Sequence, residues 1–323
     1  MSVYDCFTFF NELDLLEIRL NVLWEVVDKF VLVEADRTFT NKEKQFYFEE
    51  NKEKYKCFLD KIIHIKITKY PEMKDAWDME YYQRNQIACG LVDCAPDDVV
   101  LISDLDEIPN PEIIKRFKEN GSGTHKLEQV FFYYYLNYQK CVSKYGCPAK
   151  ITRYKEITVN NYTPQKIRVE DNIKIIKKGG WHFSYLGGEE AIKYKIQSFA
   201  HQEYNNENYV NDKITNKIYL GLDIFDRYGV RFIPVKITNK KFPQYIVNNI
   251  DKYSHLIYQN INQYIIIKNT LYCLTTSLYR SIILLFKSWN AKIIDFIKII
   301  LPENIVNKIK KIKRQLHKRK SGT

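Results

Sequence analysis

Residues Val99 to Pro109 read Val-Val-Leu-Ile-Ser-Asp-Leu-Asp-Glu-Ile-Pro. The apolar run stops at two carboxylates, Asp104 and Asp106, one residue apart. A short apolar run bounded by polar turn residues reads as a buried strand, which puts both acids at its exit. In an extended segment residues i and i+2 point the same way. The two carboxylates can then converge on one hard cation or on a diphosphate–metal complex. Unpaired acids at the end of a buried strand are costly without such a partner, so the pair reads as a site.

The residues before it alternate strand-like and helix-like patterns. Val3–Phe10 reads as a strand, and Leu13, Leu16, Leu20, Leu23 and Val27 recur at helical steps. Phe30–Ala35 and Ile62–Thr68 read as strands, and Asp75 is a plausible N-cap for a helix reaching about Leu91. This order predicts an α/β fold, a mostly parallel sheet flanked by helices. Ligands bind such sheets at the carboxyl ends of strands, where Asp104, Asp106 and Glu34 fall.

Beyond Pro109, a short helix is expected over Glu112–Lys118. Val130–Tyr138 is strand-like and strongly aromatic, suited to a core strand or to a wall on which a sugar stacks. Gly179-Gly180-Trp181-His182-Phe183-Ser184 reads as a strand with a polar tip. Gly187-Gly188-Glu189-Glu190 opens a helix to about Phe199, where the acids also suit the helix dipole. From about Phe242 the composition changes, predicting a main domain over 1–240 and a helical appendage over 241–323. Residues 256–300 suggest consecutive amphipathic helices. The end reads as a basic helix with Ile305, Ile309, Ile312 and Leu316 on one side, fit for an anionic membrane surface through residues 301–323 or for a solvated cap.

The net charge is +11, with eight Lys/Arg against Glu303 from Leu301 onward, so the remainder is only mildly basic. No nucleic-acid footprint is indicated there. The seven cysteines are scattered, with no CxxC pair, as expected of free thiols in a reducing compartment. No signal peptide or long apolar span is evident, which predicts a cytoplasmic chain, peripheral on the inner membrane face if the basic end binds lipid.

An Asp-x-Asp at a strand end serves two chemistries. In nucleotide-sugar glycosyltransferases it holds a divalent metal against the donor diphosphate. In haloacid-dehalogenase-like phosphohydrolases the first Asp is a nucleophile. That family places Thr or Val two residues after the second Asp, where this chain has Ile108. Its strand normally comes first, and it needs a downstream strand ending in a second acidic pair, which is not found here.

A wider set of motifs favours the first chemistry. Asp5-Cys6-Phe7-Thr8-Phe9-Phe10-Asn11-Glu12-Leu13-Asp14-Leu15-Leu16-Glu17-Ile18-Arg19-Leu20 and Val33-Glu34-Ala35-Asp36-Arg37-Thr38-Phe39-Thr40 come first. Ser103 to Pro109, Gly180 to Ser184 and Ser198-Phe199-Ala200-His201-Gln202-Glu203-Tyr204 follow. Together, in this order, they resemble the family 17 glycosyltransferases, which include the animal enzyme that adds the bisecting N-acetylglucosamine to N-glycans. The resemblance implies a GT-A-type fold, a UDP-sugar donor (UDP-N-acetylglucosamine in known members), an inverting transfer, and Mn²⁺ or Mg²⁺. The chain departs from the animal enzyme in showing no N-terminal Golgi anchor and in its basic end, which points to a bacterial or viral surface glycan as acceptor.

On that reading Asp106, assisted by Asp104, holds the metal that neutralises the leaving diphosphate, with His182 or His201 completing the site or acting structurally. Inversion needs a base across the sugar ring. Glu190 is the first candidate, with Glu107, Glu189, Glu203 and Asp223 behind it. Asn11, Glu12 and Glu34 fall where the uridine would sit. Arg84 would reach a phosphate or form a surface ion pair, and Trp181 would stack on the sugar or belong to the core. A catalytically inactive, membrane-associated scaffold of a glycan-assembly complex is the alternative from another functional class.

Overall fold

A computed structural model of the chain describes residues 1–300 apart from 142–144, 147, 212 and 261, with side chains as far as 283 except at 145 and 280. The expected basic helix over 301–323 lies outside the described residues. Two units divide the chain, Met1–Thr270 and Leu271–Thr323.

The first unit is a mixed α/β structure whose central sheet is mostly parallel and flanked by helices, the class expected from the sequence. Its strands are β1 (Val3–Phe9), β2 (Lys29–Ala35), β3 (Ile62–Ile67), β4 (Val99–Asp104), β5 (Glu107–Pro109) and β6 (His125–Tyr133), then β7 (Tyr138–Lys140), β8 (Tyr145–Gly146), β9 (Lys150–Arg153), β10 (Lys174–Ser184) and β11 (Phe232–Pro234). The spatial order is β11-β7-β6-β9-β4-β1-β2-β3, with β10 beside β6 and β5, and β8 on β6. Strands β3, β2, β1 and β4 run parallel, while β9 is antiparallel to β4.

The near-continuous apolar runs of β1, β2 and β4 follow from burial on both faces. Val3, Phe7, Phe30, Leu32, Val99 and Leu101 face one core, and Tyr4, Cys6, Val31, Val33, Val100 and Ile102 face another, the period-two alternation of a strand. The first core also takes in Phe242, Ile246, Tyr253 and Leu256. The helix Ala76–Asn85 starts where Asp75 accepts the N–H groups of Trp77 (2.8 Å) and Asp78 (3.0 Å), the predicted cap.

Two element expectations are corrected. The aromatic strand runs over His125–Tyr133 and stops where Tyr134 takes φ +68°. A turn follows, in which the Asn137 side chain accepts the Tyr258 N–H at 2.8 Å and donates to the Tyr258 carbonyl at 3.1 Å. The helices expected over 256–300 are a single helix, Gln263–Ile300. No Gly or Pro interrupts that stretch, so nothing in it breaks the hydrogen-bond ladder.

Candidate active site

The carboxyl ends of β1, β4, β6 and β10 open on one cleft of about 530 Å³. Strand β4 ends at Asp104, and Leu105 and Asp106 form a turn before β5 begins at Glu107. The extended geometry that would align Asp104 with Asp106 therefore stops at the first of them. Both carboxylates still line the cleft, but they meet different partners.

Asp104 accepts from Arg84 Nη2 and Arg168 Nη2, each at 3.0 Å. Burial alone would raise its pKa, but the guanidiniums of Arg168 and Arg84 outweigh burial and the Asp106 charge and hold it well below the usual range. Asp106 is 3.1 Å from Lys195 Nζ and 3.4 Å from His182 Nε2. Burial raises it too, and Lys195 and His182 bring it far below the ordinary value. Glu107 pairs with Arg168 at 2.7 Å and accepts the Asp104 backbone N–H at 3.1 Å. Its pKa is raised, by burial first, because Arg168 only partly offsets burial and the Asp104 and Asp106 charges. Lys195 also reaches Glu12 at 3.0 Å, so one ammonium ties the loop after β1 to the acidic turn.

His182 arrives from β10. Its antiparallel pairing with β5 sets His182 opposite Glu107 and Trp181 opposite Ile108, and Phe183 N–H donates to the Asp106 carbonyl at 2.8 Å. Donor atoms of Asp106, Glu107 and His182 lie within 4.8 Å of one another. Burial lowers the His182 pKa, but Asp106 more than compensates and the net shift is upward. The buried Nδ1 of His182 has no hydrogen-bond partner.

The turn is held from below. Arg19, on the helix Leu13–Leu23, is fully buried and makes a bidentate pair with Asp5 of β1, Nη2 to Oδ1 at 2.6 Å and Nε to Oδ2 at 2.8 Å. Its Nη1 donates to the carbonyls of Asp104 (2.9 Å), Leu105 (3.0 Å) and Glu107 (3.1 Å), and its Nη2 also reaches Ser103 Oγ (2.6 Å).

Of the residues expected from the sequence, Glu12, Arg84, Asp104, Asp106, Glu107, His182 and His201 line the cleft. The expected metal set of Asp104, Asp106, His182 and His201 is not brought together as one group. Asp104 is turned to its guanidiniums, and His201 is half-exposed, 2.6 Å from Glu203 and edge-on to Trp77.

The other expected residues are not among those lining the cleft. Glu190 is 89% exposed and pairs with Lys193 at 3.5 Å. Glu189 pairs with Lys193 and Thr215. Glu34 is fully buried, accepting from Phe48 N–H and 3.0 Å from His64 Nε2. Asn11 spends its backbone on Glu12 and Leu13. Trp181 donates to the Lys241 carbonyl at 2.7 Å on the strand face opposite His182. Asp223 is buried under Arg227, which does line the cleft.

Sequence reasoning missed Arg19, Arg168, Lys195 and Arg227. For Lys195 a signal was present, since it lies on the helix predicted after Gly188, but five residues from Glu190, well round the helix. The aromatic strand gave a usable signal as well. Phe131 and Tyr133 line the cleft, while Phe132 between them stacks on Phe183 in the core.

A family model described as glycosyltransferase family 17 matches residues 1–263. The human beta-1,4-mannosyl-glycoprotein 4-beta-N-acetylglucosaminyltransferase is 22% identical over 283 residues, covering 76% of this chain and 53% of that protein. The rat protein of the same name is 22% identical over 284 residues, with the same coverage. The chain thus spans about half the length of the curated relatives it matches. Among solved structures, glucosyl-3-phosphoglycerate synthase of Mycobacterium tuberculosis is 11% identical with a TM-score of 0.29, over 76% of this chain and 92% of that one. Its complex with Mn²⁺, uridine-diphosphate and glucosyl-3-phosphoglycerate is 10% identical with a TM-score of 0.30, over 76% of this chain and 91% of that one. At these TM-scores neither likeness bears on the reading of the site.

Proposed function

Because this chain belongs to glycosyltransferase family 17, we propose that it transfers a sugar, N-acetylglucosamine, from a UDP-sugar to a glycan hydroxyl with inversion. The observation that carries this reading is the meeting of Asp104, Asp106 and Glu107 with Arg84, Arg168 and Lys195 along one cleft. Departure of a nucleoside diphosphate builds negative charge on phosphate oxygens, and fixed donors aimed there stabilise it. Arg84 and Arg168 are planar forks suited to phosphate, held in place by Asp104 until a ligand competes. Phe131 and Tyr133 line the cleft and add apolar wall to it.

The donor set fits Mn²⁺ or Mg²⁺, two carboxylates and an imidazole whose buried Nδ1 has no other partner. Asp106, Glu107 and His182 would hold the ion, with Asp104 beside them, and the ion would supply Lewis-acid neutralisation of the diphosphate. Of the five carboxylates weighed as the base, Glu190, Glu107, Glu189, Glu203 and Asp223, Glu107 alone lines the cleft, and there it belongs to the ligand set of the ion on the diphosphate side, so none of the five is carried forward as the base across the sugar ring. The phosphohydrolase alternative would need Asp104 free to attack a phosphorus, whereas two guanidiniums hold it.

The test is release of UDP from UDP-N-acetylglucosamine with Mn²⁺ and a glycan acceptor. Asp106→Asn and Glu107→Gln are each expected to lower kcat by about 100-fold or more, while Glu190→Gln stays near wild type. No turnover of any UDP-sugar would sink the transferase reading, and full activity of Glu107→Gln would remove that residue from the ligand set of the ion.

A further inference from the structure

Charge is divided unevenly between the two units. Residues 271–323 hold twelve Lys/Arg against Asp295 and Glu303, a net +10 of the chain's +11. The first unit, with the whole cleft, is therefore close to neutral. Within the second unit, Leu271, Leu274, Leu278 and Ile282 are between 41% and 63% exposed. Their steps of three and four put them on one face of the helix. An exposed row of leucine-sized side chains on a strongly basic unit combines the two attractions of an interfacial helix, burial of apolar area and attraction to anionic headgroups.

We propose that the second unit docks on an anionic lipid bilayer, with the row Leu271, Leu274, Leu278 and Ile282 entering the acyl boundary and the basic residues meeting lipid phosphates. No helix among the described residues is long and apolar enough to cross a membrane, so the helix lies along the surface. Charge decides the occupant. A second copy would bring one +10 unit against another, and a nucleic acid would take the charge but leave the apolar row in water. The inference does not rest on the reading of the cleft.

The experiment is co-sedimentation of the full chain with phosphatidylcholine vesicles that contain or lack phosphatidylglycerol. Binding is expected only with phosphatidylglycerol, weakening at least about tenfold as salt rises from about 0.1 to 0.5 M. Leu274→Glu/Leu278→Glu is expected to weaken binding at least about tenfold with an unchanged melting curve. Leu274→Ser/Leu278→Ser gives the same readout, smaller in size, should the charged pair fold poorly. Equal binding to neutral vesicles would overturn the proposal. So would unchanged lipid binding by both variants, or a wild-type dimer that the same substitutions dissociate, which would make a second copy the occupant.

Discussion

Arg19 is the residue on which the acidic turn hangs. One guanidinium neutralises Asp5, reaches Ser103 Oγ and satisfies three carbonyls around the turn, at Asp104, Leu105 and Glu107, a complete use of its donors. Removing it strands a buried Asp5 carboxylate, so Arg19→Met is expected to cost about 3–5 kcal/mol in urea unfolding. The paired change Asp5→Leu/Arg19→Met removes the stranded charge and recovers most of that stability. It leaves the turn unpinned, so UDP affinity, read by calorimetry, stays weakened. A paired variant with full UDP affinity would show that Arg19 serves stability alone. In the sequence Arg19 is one charge on an amphipathic helix, and nothing local distinguishes it from a solvated arginine. Its burial follows from Asp5, fourteen residues away on β1, facing the same core.

Strand β10 delivers His182 through a local distortion. Its register against β6 shifts between Ile176 and Gly180, and Gly180 takes φ +145° with no room for a side chain. A Cβ there would sit 2.1 Å from the Ile108 carbonyl oxygen, on the strand that carries Glu107. Gly180→Ala is therefore expected to destabilise the protein by about 1–3 kcal/mol from the backbone alone, more with the clash. Thermal unfolding measures this, and a melting temperature equal to wild type would refute it. The Gly-Gly-Trp-His-Phe-Ser segment was legible as a strand with a polar tip because its composition and alternation are local. Its pairing with β5 was not, since a three-residue strand has no period to read. The helix Gly188–Ser198 was legible too, yet the residue it contributes to the cleft is Lys195 rather than Glu190. The acids of its first turn face solvent and Lys193, as helix-start acids commonly do.

At the scale of the whole molecule, the cleft makes the fold sensitive to acid. Asp104 and Asp106 are held below their unfolded value of 3.8 by Arg168 and Arg84 and by Lys195 and His182, against the opposing pull of burial. A depressed carboxylate contributes stability that is present above the unfolded pKa and lost as pH falls through the folded one. Glu107, raised above 4.5 mainly by burial, has the opposite sign and gives up stability as pH rises through its folded value. The denaturation midpoint in urea is thus expected to fall as pH drops below about 4, and to fall less in Asp106→Asn. An equal acid loss in that variant would show that the ion pairs of the turn do not set the limb. By itself the sequence determined the α/β class, the strand that ends in Asp104, and a family whose motifs lie in order along the first unit. These are consequences of local hydrophobic period and of short motifs, each contained within a few residues. Only the tertiary structure decided which charges meet. Arg84, Arg168 and Lys195 come from three separate helices to one strand end, and a charge partner is fixed by distance in space, which no spacing along the chain encodes.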